Sequence, residues 1–261
     1  MKNKPTFLHQ QNPILCAISE SGEPESVITD MCNAFSDGAD AFSFEFDRMQ
    51  MECRGYEEIR HICSFAGEKP VYITNYRQGY NQGRSDDELV DDLLVGLKAG
   101  ATLIDVMGDL YDPQPLEITQ SKDAILRQKS LISEIHTKGG EVIMSSHTKK
   151  FLPQDEVVAI AKQQESRGAD IAKIVTWADT YDELLENLSA SVRMKKELSI
   201  PFMFLSCGRC CKIQRITGYM FGSSIMLGVA GHVNDNSRIQ PTVRSLRAVL
   251  SNTYWQEDRP E

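Results

Sequence analysis

Nowhere in its 261 residues does the chain hold an uninterrupted apolar run long enough to span a bilayer, so no membrane partner is expected. Surplus positive charge is missing as well: 28 Lys and Arg stand against 37 Asp and Glu, a formal net charge of −9. No basic stripe with interleaved aromatics appears, so affinity for a phosphate backbone has no visible source and nucleic acid is excluded as a partner. Met1-Lys2-Asn3-Lys4-Pro5 opens like a secretory signal, but no apolar core follows it, which makes the cytoplasm the expected location. Seven cysteines cannot all pair within one chain and fit free thiols in that compartment. Neither a G-x-G-x-x-G after the first apolar run nor a Walker loop is present, which removes the usual nucleotide-binding reasons for an open sheet. Linkers and low-complexity tracts are lacking too. A single domain over 1–261 is therefore expected, with a short polar tail from about residue 252.

What is present is alternation. Short apolar runs occupy Ile14–Ile18, Ala41–Phe46, Val71–Asn75, Ala101–Val106, Glu141–Ser145, Asp170–Val175, Phe202–Ser206 and Ile225–Val229. Between them lie helical patterns at Glu25–Phe35, Tyr56–Phe65, Asp86–Ala99, Ser121–Thr137, Gln154–Arg167, Tyr181–Glu197 and Gln240–Leu250, with a shorter, less helical stretch before the last run. Gly38, Gly100 and Gly168 each follow a helical pattern and precede an apolar run, where a left-handed cap costs glycine little. Repeated helix–glycine–strand units require parallel strands joined by crossovers. Eight such strands in a chain near the usual size of an α/β barrel predict a (β/α)8 TIM barrel.

Ligands meet such a barrel at the C-terminal ends of its strands. Polar residues there that packing would not choose are the candidates. Lys173 interrupts the apolar run Ala169-Asp170-Ile171-Ala172-Lys173-Ile174-Val175. A low-dielectric surrounding disfavours a charged amine and frees it to attack a carbonyl; the alternative is a lysine that snorkels to solvent. His147 closes Val142-Ile143-Met144-Ser145-Ser146-His147, and imidazole suits proton transfer near neutral pH. The remaining histidines, His9, His61, His136 and His232, read as surface or packing residues. Arg215, in a Gly-flanked loop after the seventh run, has the bidentate geometry that grips a carboxylate, or is simply a surface loop arginine. Gln240 follows the eighth run and can hydrogen-bond the same ligand, or simply start a helix. Cys207-Gly208-Arg209-Cys210-Cys211 lacks a second Cys/His pair to complete a structural zinc site.

Together these segments resemble the type I 3-dehydroquinate dehydratases. The similar stretches are Gly38 to Asp47, Met144 to His147 with Pro153 beyond, Gly168 to Ile174, Ile213 to Ser223, and the spacing from Gln240 to Arg247, all in the family's order. The resemblance implies a barrel in which Lys173 condenses with a ring ketone as a Schiff base and His147 removes the adjacent proton and then assists loss of the β-hydroxyl as water. Arg215 and Gln240 would hold the substrate carboxylate. No metal or organic cofactor is required, because the iminium is itself the electron sink. A carbon–oxygen lyase of the shikimate pathway, feeding aromatic amino-acid biosynthesis and acting as a homodimer, is what the resemblance implies.

Departures fall in one half of the expected pocket. Where the family has Glu-x-Arg-x-Asp on its second strand, this chain has Ser43-x-Glu45-x-Asp47, which reverses the charge at the middle position. Arg77 matches an arginine after the third strand, whereas Asn81 replaces a glutamate. The serine of the last loop falls at Asn236, with Ser237 beside it. Arg48 points away from the pocket by strand alternation unless a bulge re-aims it. Ser43, Glu45, Arg77, Asn81 and Ser237 are accordingly the further expected substrate-binding residues, with Arg77 kept and the others changed or shifted. Three readings follow: a 3-dehydroquinate dehydratase with a rewired pocket, a Schiff-base dehydratase or aldolase-like lyase for another hydroxy-keto acid, and a metabolite-binding barrel that has lost catalysis.

Overall fold

The computed structural model describes residues 4–8, 13–232 and 236–253. Eight parallel strands alternate with eight helices. The strands are β1 (Ile14–Ser19), β2 (Ala41–Glu45), β3 (Val71–Thr74), β4 (Leu103–Met107), β5 (Glu141–His147), β6 (Ile171–Trp177), β7 (Phe202–Cys207) and β8 (Ile225–Gly228). The helices are α1 (Pro24–Ser36), α2 (Tyr56–Phe65), α3 (Asp86–Ala99), α4 (Lys122–Thr137), α5 (Gln154–Ser166), α6 (Tyr181–Glu197), α7 (Cys211–Thr217) and α8 (Val243–Thr253). Ladders run without a break from β8 through β1 to β7. The β7–β8 seam is closed by the Ser224 amide, which donates to Phe202 O at 2.8 Å, and by Ser223 Oγ, which accepts from the Phe204 amide at 3.3 Å. This is the expected TIM barrel.

All eight strands and the predicted helices appear, with shifts that carry information. β5, β6 and β7 extend past their apolar runs, because the ladder continues through Ser146, Thr176 and Ser206 to the residues at the barrel mouth. The three helix-ending glycines adopt positive φ, at 96° for Gly38, 122° for Gly100 and 99° for Gly168, so a side chain at any of them would be strained. α8 begins at Val243 rather than Gln240, which leaves Gln240 in the preceding loop. Arg215 sits on a short helix, α7, and not in a loop. Asn252 and Thr253 still belong to α8; the rest of the expected tail, like His9, lies outside the described residues.

Two packed layers position the mouth. Outside the strands, α1 to α4 and α8 bury Val27, Met31, Ile59, Leu93, Ile135 and Leu246 against the sheet. Inside, Cys16, Tyr72, Leu103, Ile143, Ile171 and Met203 fill the barrel. Phe7 plugs its lower end, edge-on to Tyr72 at 6.3 Å between ring centroids. Its backbone amide donates to Glu141 Oε2 at 2.9 Å, which fixes the N-terminal segment under β5. A filled floor leaves the upper end open. Among the described residues no helix is long and apolar enough to cross a membrane.

Candidate active site

At the C-terminal ends of the strands lies a cavity of about 530 Å³. Lys173, His147, Arg215, Gln240, Glu45 and Arg77 all line it. Lys173 points inward because β6 alternates, and it stands level with Ser145 of β5 and Met203 of β7. Only 5% of its side chain is exposed. The ammonium donates to Tyr72 Oη at 2.8 Å, to Tyr76 Oη at 2.6 Å and to Asp105 Oδ2 at 3.1 Å. Both phenols in turn donate to the same Asp105 oxygen, Tyr76 at 2.7 Å. Ser145 Oγ donates to the other carboxylate oxygen. Burial pushes the Asp105 carboxyl up, but the charge of Lys173 and the three hydroxyl donors outweigh it and hold the group below its usual range. Burial and the neighbouring carboxylate push both phenols well above the usual tyrosine value.

His147 is held from the loop after β4. Its backbone amide donates to Glu117 Oε2 at 2.8 Å, and its Nδ1 lies 2.7 Å from the same oxygen. With Nδ1–H donating there, the lone pair of the neutral imidazole lies on Nε2. Burial raises the Glu117 carboxyl, while the hydrogen bonds and charge from His147 outweigh it and bring it below its ordinary value. Glu117 has φ 49°, a left-handed conformation uncommon outside glycine and worth of order 1 kcal/mol of strain. The surrounding loop is pinned to tolerate it. Arg167 donates to Gly108 O at 2.7 Å and to Thr119 O at 2.6 Å, and Ser146 Oγ donates to Glu117 O at 2.7 Å. The ring of Tyr76 stands edge-on to the imidazole, 4.8 Å between centroids, so one tyrosine touches both the amine and the imidazole.

Arg215 reaches the same cavity from α7, beside β7. Its Nε donates to Ser206 O at 2.8 Å and its Nη1 to Gln240 Oε1 at 2.7 Å, with Cys207 Sγ 3.8 Å from Nη2. No carboxylate pairs with it among the described residues, although it is 5% exposed. Burial lowers the guanidinium below its ordinary value, with the nearby Cys207 and Cys211 opposing. A buried cation without a paired anion is costly, and a guanidinium has the geometry to pair with a carboxylate.

The varied half of the pocket differs from expectation. Arg77 lines the cavity but is spoken for: Nε and Nη2 donate to Asp86 at 2.7 and 2.8 Å, and Nη1 to Asp109 at 2.8 Å. Two carboxylates neutralise it, so it braces the wall instead of offering an unpaired charge. Asn81 does not line the cavity. It is a buried hub behind it, donating to Tyr76 O and Asn75 Oδ1 at 2.6 Å each and accepting from Arg54 at 2.6 Å, which fixes the segment that carries Tyr76. Ser43 faces inward but below the cavity, fully buried, with its hydroxyl unpartnered. Ser237 is buried beside Gln240 and does not reach the lining. Glu45 does reach it, and a 3-10 turn over Phe46–Arg48 brings Arg48 Nε back to 3.2 Å from its Oε2. The turn, rather than a bulge, therefore re-aims Arg48.

Burial and the adjacent Asp47 push the Glu45 carboxyl up from 4.5 to about 7. A carboxyl raised on folding stabilises the native state below its unfolded value, and that contribution is lost as pH rises through about 7. Glu45→Gln removes the dependence. In urea unfolding, the variant is expected to gain on the wild type by of order 2 kcal/mol more at pH 8 than at pH 5. An equal difference at both pH values would contradict the assignment.

Sequence reasoning missed Asp105, Tyr72, Tyr76 and Glu117. Asp105 was open to the argument used for Lys173, since it interrupts the apolar run Leu103-Ile104-Asp105-Val106-Met107 in the same way. Tyr72 sits where β-propensity alone would place a tyrosine, and Glu117 lies in an irregular loop with no periodic signal. Of the other histidines, His61 and His136 pair with Glu25 and Asp170 at the surface, and exposed His232 meets Gln240 O at 2.9 Å. The seven cysteines are all free.

Fold and site define a TIM barrel with a buried lysine and a carboxylate-oriented histidine at its mouth. The chain belongs to the type I 3-dehydroquinase family, whose profile it matches over residues 15–256. It is 29% identical over 217 residues to 3-dehydroquinate dehydratase of Neisseria gonorrhoeae, covering 79% of each chain. To that of Aromatoleum aromaticum it is 24% identical over 252 residues, covering 92% of this chain and 90% of the relative. Among solved structures, 3-dehydroquinate dehydratase of Geobacillus kaustophilus superposes with a TM-score of 0.78 at 19% identity, covering 95% of this chain and 93% of that one. The Clostridium difficile type I enzyme, solved with covalent modified comenic acid, gives 0.76 at 21% identity over 93% of each chain.

Proposed function

We propose that the protein is a Schiff-base carbon–oxygen lyase that removes water from 3-dehydroquinate to give 3-dehydroshikimate. The observation that carries this is a single cavity lined by a buried amine, an oriented imidazole and a buried guanidinium that no carboxylate pairs with among the described residues. Arg215 and Gln240 take the substrate carboxylate, which turns the ring ketone toward Lys173. The amine adds to the ketone carbon and the carbinolamine loses water to an iminium. That cation withdraws electrons from the neighbouring C–H bond, and His147 Nε2 takes the proton as the C–H pair becomes the enamine double bond. The enamine then pushes out the β-hydroxyl, which leaves as water with the proton returned by His147. Hydrolysis of the conjugated iminium frees the enone and restores Lys173. The chain's own amine is the electron sink.

The same reading places the enzyme in the cytoplasm, in the shikimate pathway, as a homodimer. A second reading, elimination or aldol cleavage of another hydroxy-keto acid, is favoured by one feature: Glu45 lines the cavity where the family has a cation on β2. A site built around one set of polar groups rejects another strongly. Purified protein given 3-dehydroquinate is expected to raise the ultraviolet absorbance of the conjugated product. Folded protein that leaves 3-dehydroquinate unchanged but eliminates water from another hydroxy-keto acid would replace the first reading with the second.

A further inference from the structure

Every proton on Lys173 already has an acceptor. Its three N–H directions are filled by Tyr72 Oη, Tyr76 Oη and Asp105 Oδ2, and His147 is bonded to Glu117 instead. An ammonium has no lone pair, so a proton must leave before nitrogen can bond to carbon. The structure offers that proton two kinds of receiver, a carboxylate and two phenols bonded to it. The phenols differ. Tyr72 is completely buried over the Phe7 plug, whereas Tyr76 is partly exposed at the mouth and stacks edge-on against His147. Resting on the Schiff-base reading above, we propose that Tyr76 is a catalytic residue that carries protons between Lys173 and Asp105 during formation and hydrolysis of the iminium, leaving His147 to serve the elimination.

The steps balance. Tyr76 Oη accepts a proton from the ammonium as its own proton passes to Asp105 Oδ2, which leaves a neutral amine and a neutral carboxyl. The nitrogen lone pair forms the C–N bond, the carbonyl π pair moves to oxygen, and a proton transfers from nitrogen to that oxygen. Asp105 then returns its proton through Tyr76 to the carbinolamine hydroxyl. The C–O bond breaks, water departs, and the remaining nitrogen pair closes the C=N bond. One substrate oxygen has left as water, and Asp105 is again a carboxylate. Hydrolysis runs the same sequence backward. Electrostatics favour the relay: the charge of Lys173 is the largest influence holding the Asp105 carboxyl low, and once that charge is gone, burial acts to keep the acquired proton in place.

The test separates adduct formation from elimination. Wild type, Tyr76→Phe and Tyr72→Phe are mixed with 3-dehydroquinate, quenched with borohydride over a time course, and the mass of the Lys173 peptide is followed. Phenylalanine keeps each ring and deletes only the hydroxyl, and thermal melts check that both variants fold. Tyr76→Phe is expected to slow the appearance of the reduced adduct by about 100-fold, in the range of a lost acid–base group, and Tyr72→Phe by about tenfold or less. An unchanged rate in Tyr76→Phe, or an equal loss in the two variants, would overturn the assignment to Tyr76 while leaving Schiff-base catalysis intact. Absence of any adduct in the wild type would instead overturn the Schiff-base reading and this inference with it.

Discussion

Lys173→Met is expected to reduce turnover of 3-dehydroquinate by at least about 10,000-fold, roughly 5 kcal/mol of activation free energy. Methionine matches the length of the lysine stem and fills the same space, so the barrel should close over it. Lost chemistry is only half of the expected effect. Asp105 would keep Tyr72, Tyr76 and Ser145 as donors but lose its one cation, 3.1 Å away in the wild type. Breaking a buried pair by removing one partner costs about 3–5 kcal/mol, lessened where the remaining group can take up a proton. In the wild type the depressed Asp105 carboxyl stabilises the fold above the usual carboxylate range, and that contribution fades as pH falls through its lowered value. Without Lys173 the largest influence lowering the carboxyl is gone, and burial, which raises it, is opposed by the three hydroxyl donors alone. Denaturant unfolding at pH 5 and pH 8 should therefore show Lys173→Met penalised more at the higher pH. A variant as stable as the wild type at pH 8, or one still turning over, would remove Lys173 from the centre of the site.

His147→Gln should divide the reaction in two. Glutamine preserves a donor for Glu117 but offers no base of suitable strength, so turnover should fall by about 100- to 10,000-fold. Adduct formation on Lys173 should survive, because the proton traffic at the amine runs through Tyr76 and Asp105 and does not pass through the imidazole. Borohydride quenching should consequently trap more enzyme as adduct than in the wild type at the same time point. Unchanged turnover would deny His147 its role. Loss of the adduct together with turnover would show that the imidazole also builds the iminium.

How far the sequence revealed this site follows from what each residue obeys. The barrel was legible because its strands and helices are short, periodic and punctuated by glycines whose positive φ the structure confirms at Gly38, Gly100 and Gly168. Lys173 and His147 were legible because a charged or basic residue ending an apolar parallel strand conflicts with packing. Arg77 and Asn81 were located, yet their employment was hidden, since Asp86 and Asp109, or Arg54 and Asn75, meet them only in three dimensions. The Glu45–Arg48 pair depends on a 3-10 turn that strand alternation does not foresee. Glu117 reaches His147 from a loop 30 residues earlier in the chain, through a left-handed backbone that no pattern announces. Long-range pairing decided the electrostatics, and periodicity does not encode it.

Mass mapping of protein reduced with borohydride in the presence of 3-dehydroquinate tests the central claim most directly. One modified peptide is expected, the one containing Lys173, and no label in Lys173→Met. A label on another lysine, or none on a folded enzyme that still produces the conjugated product, would contradict it.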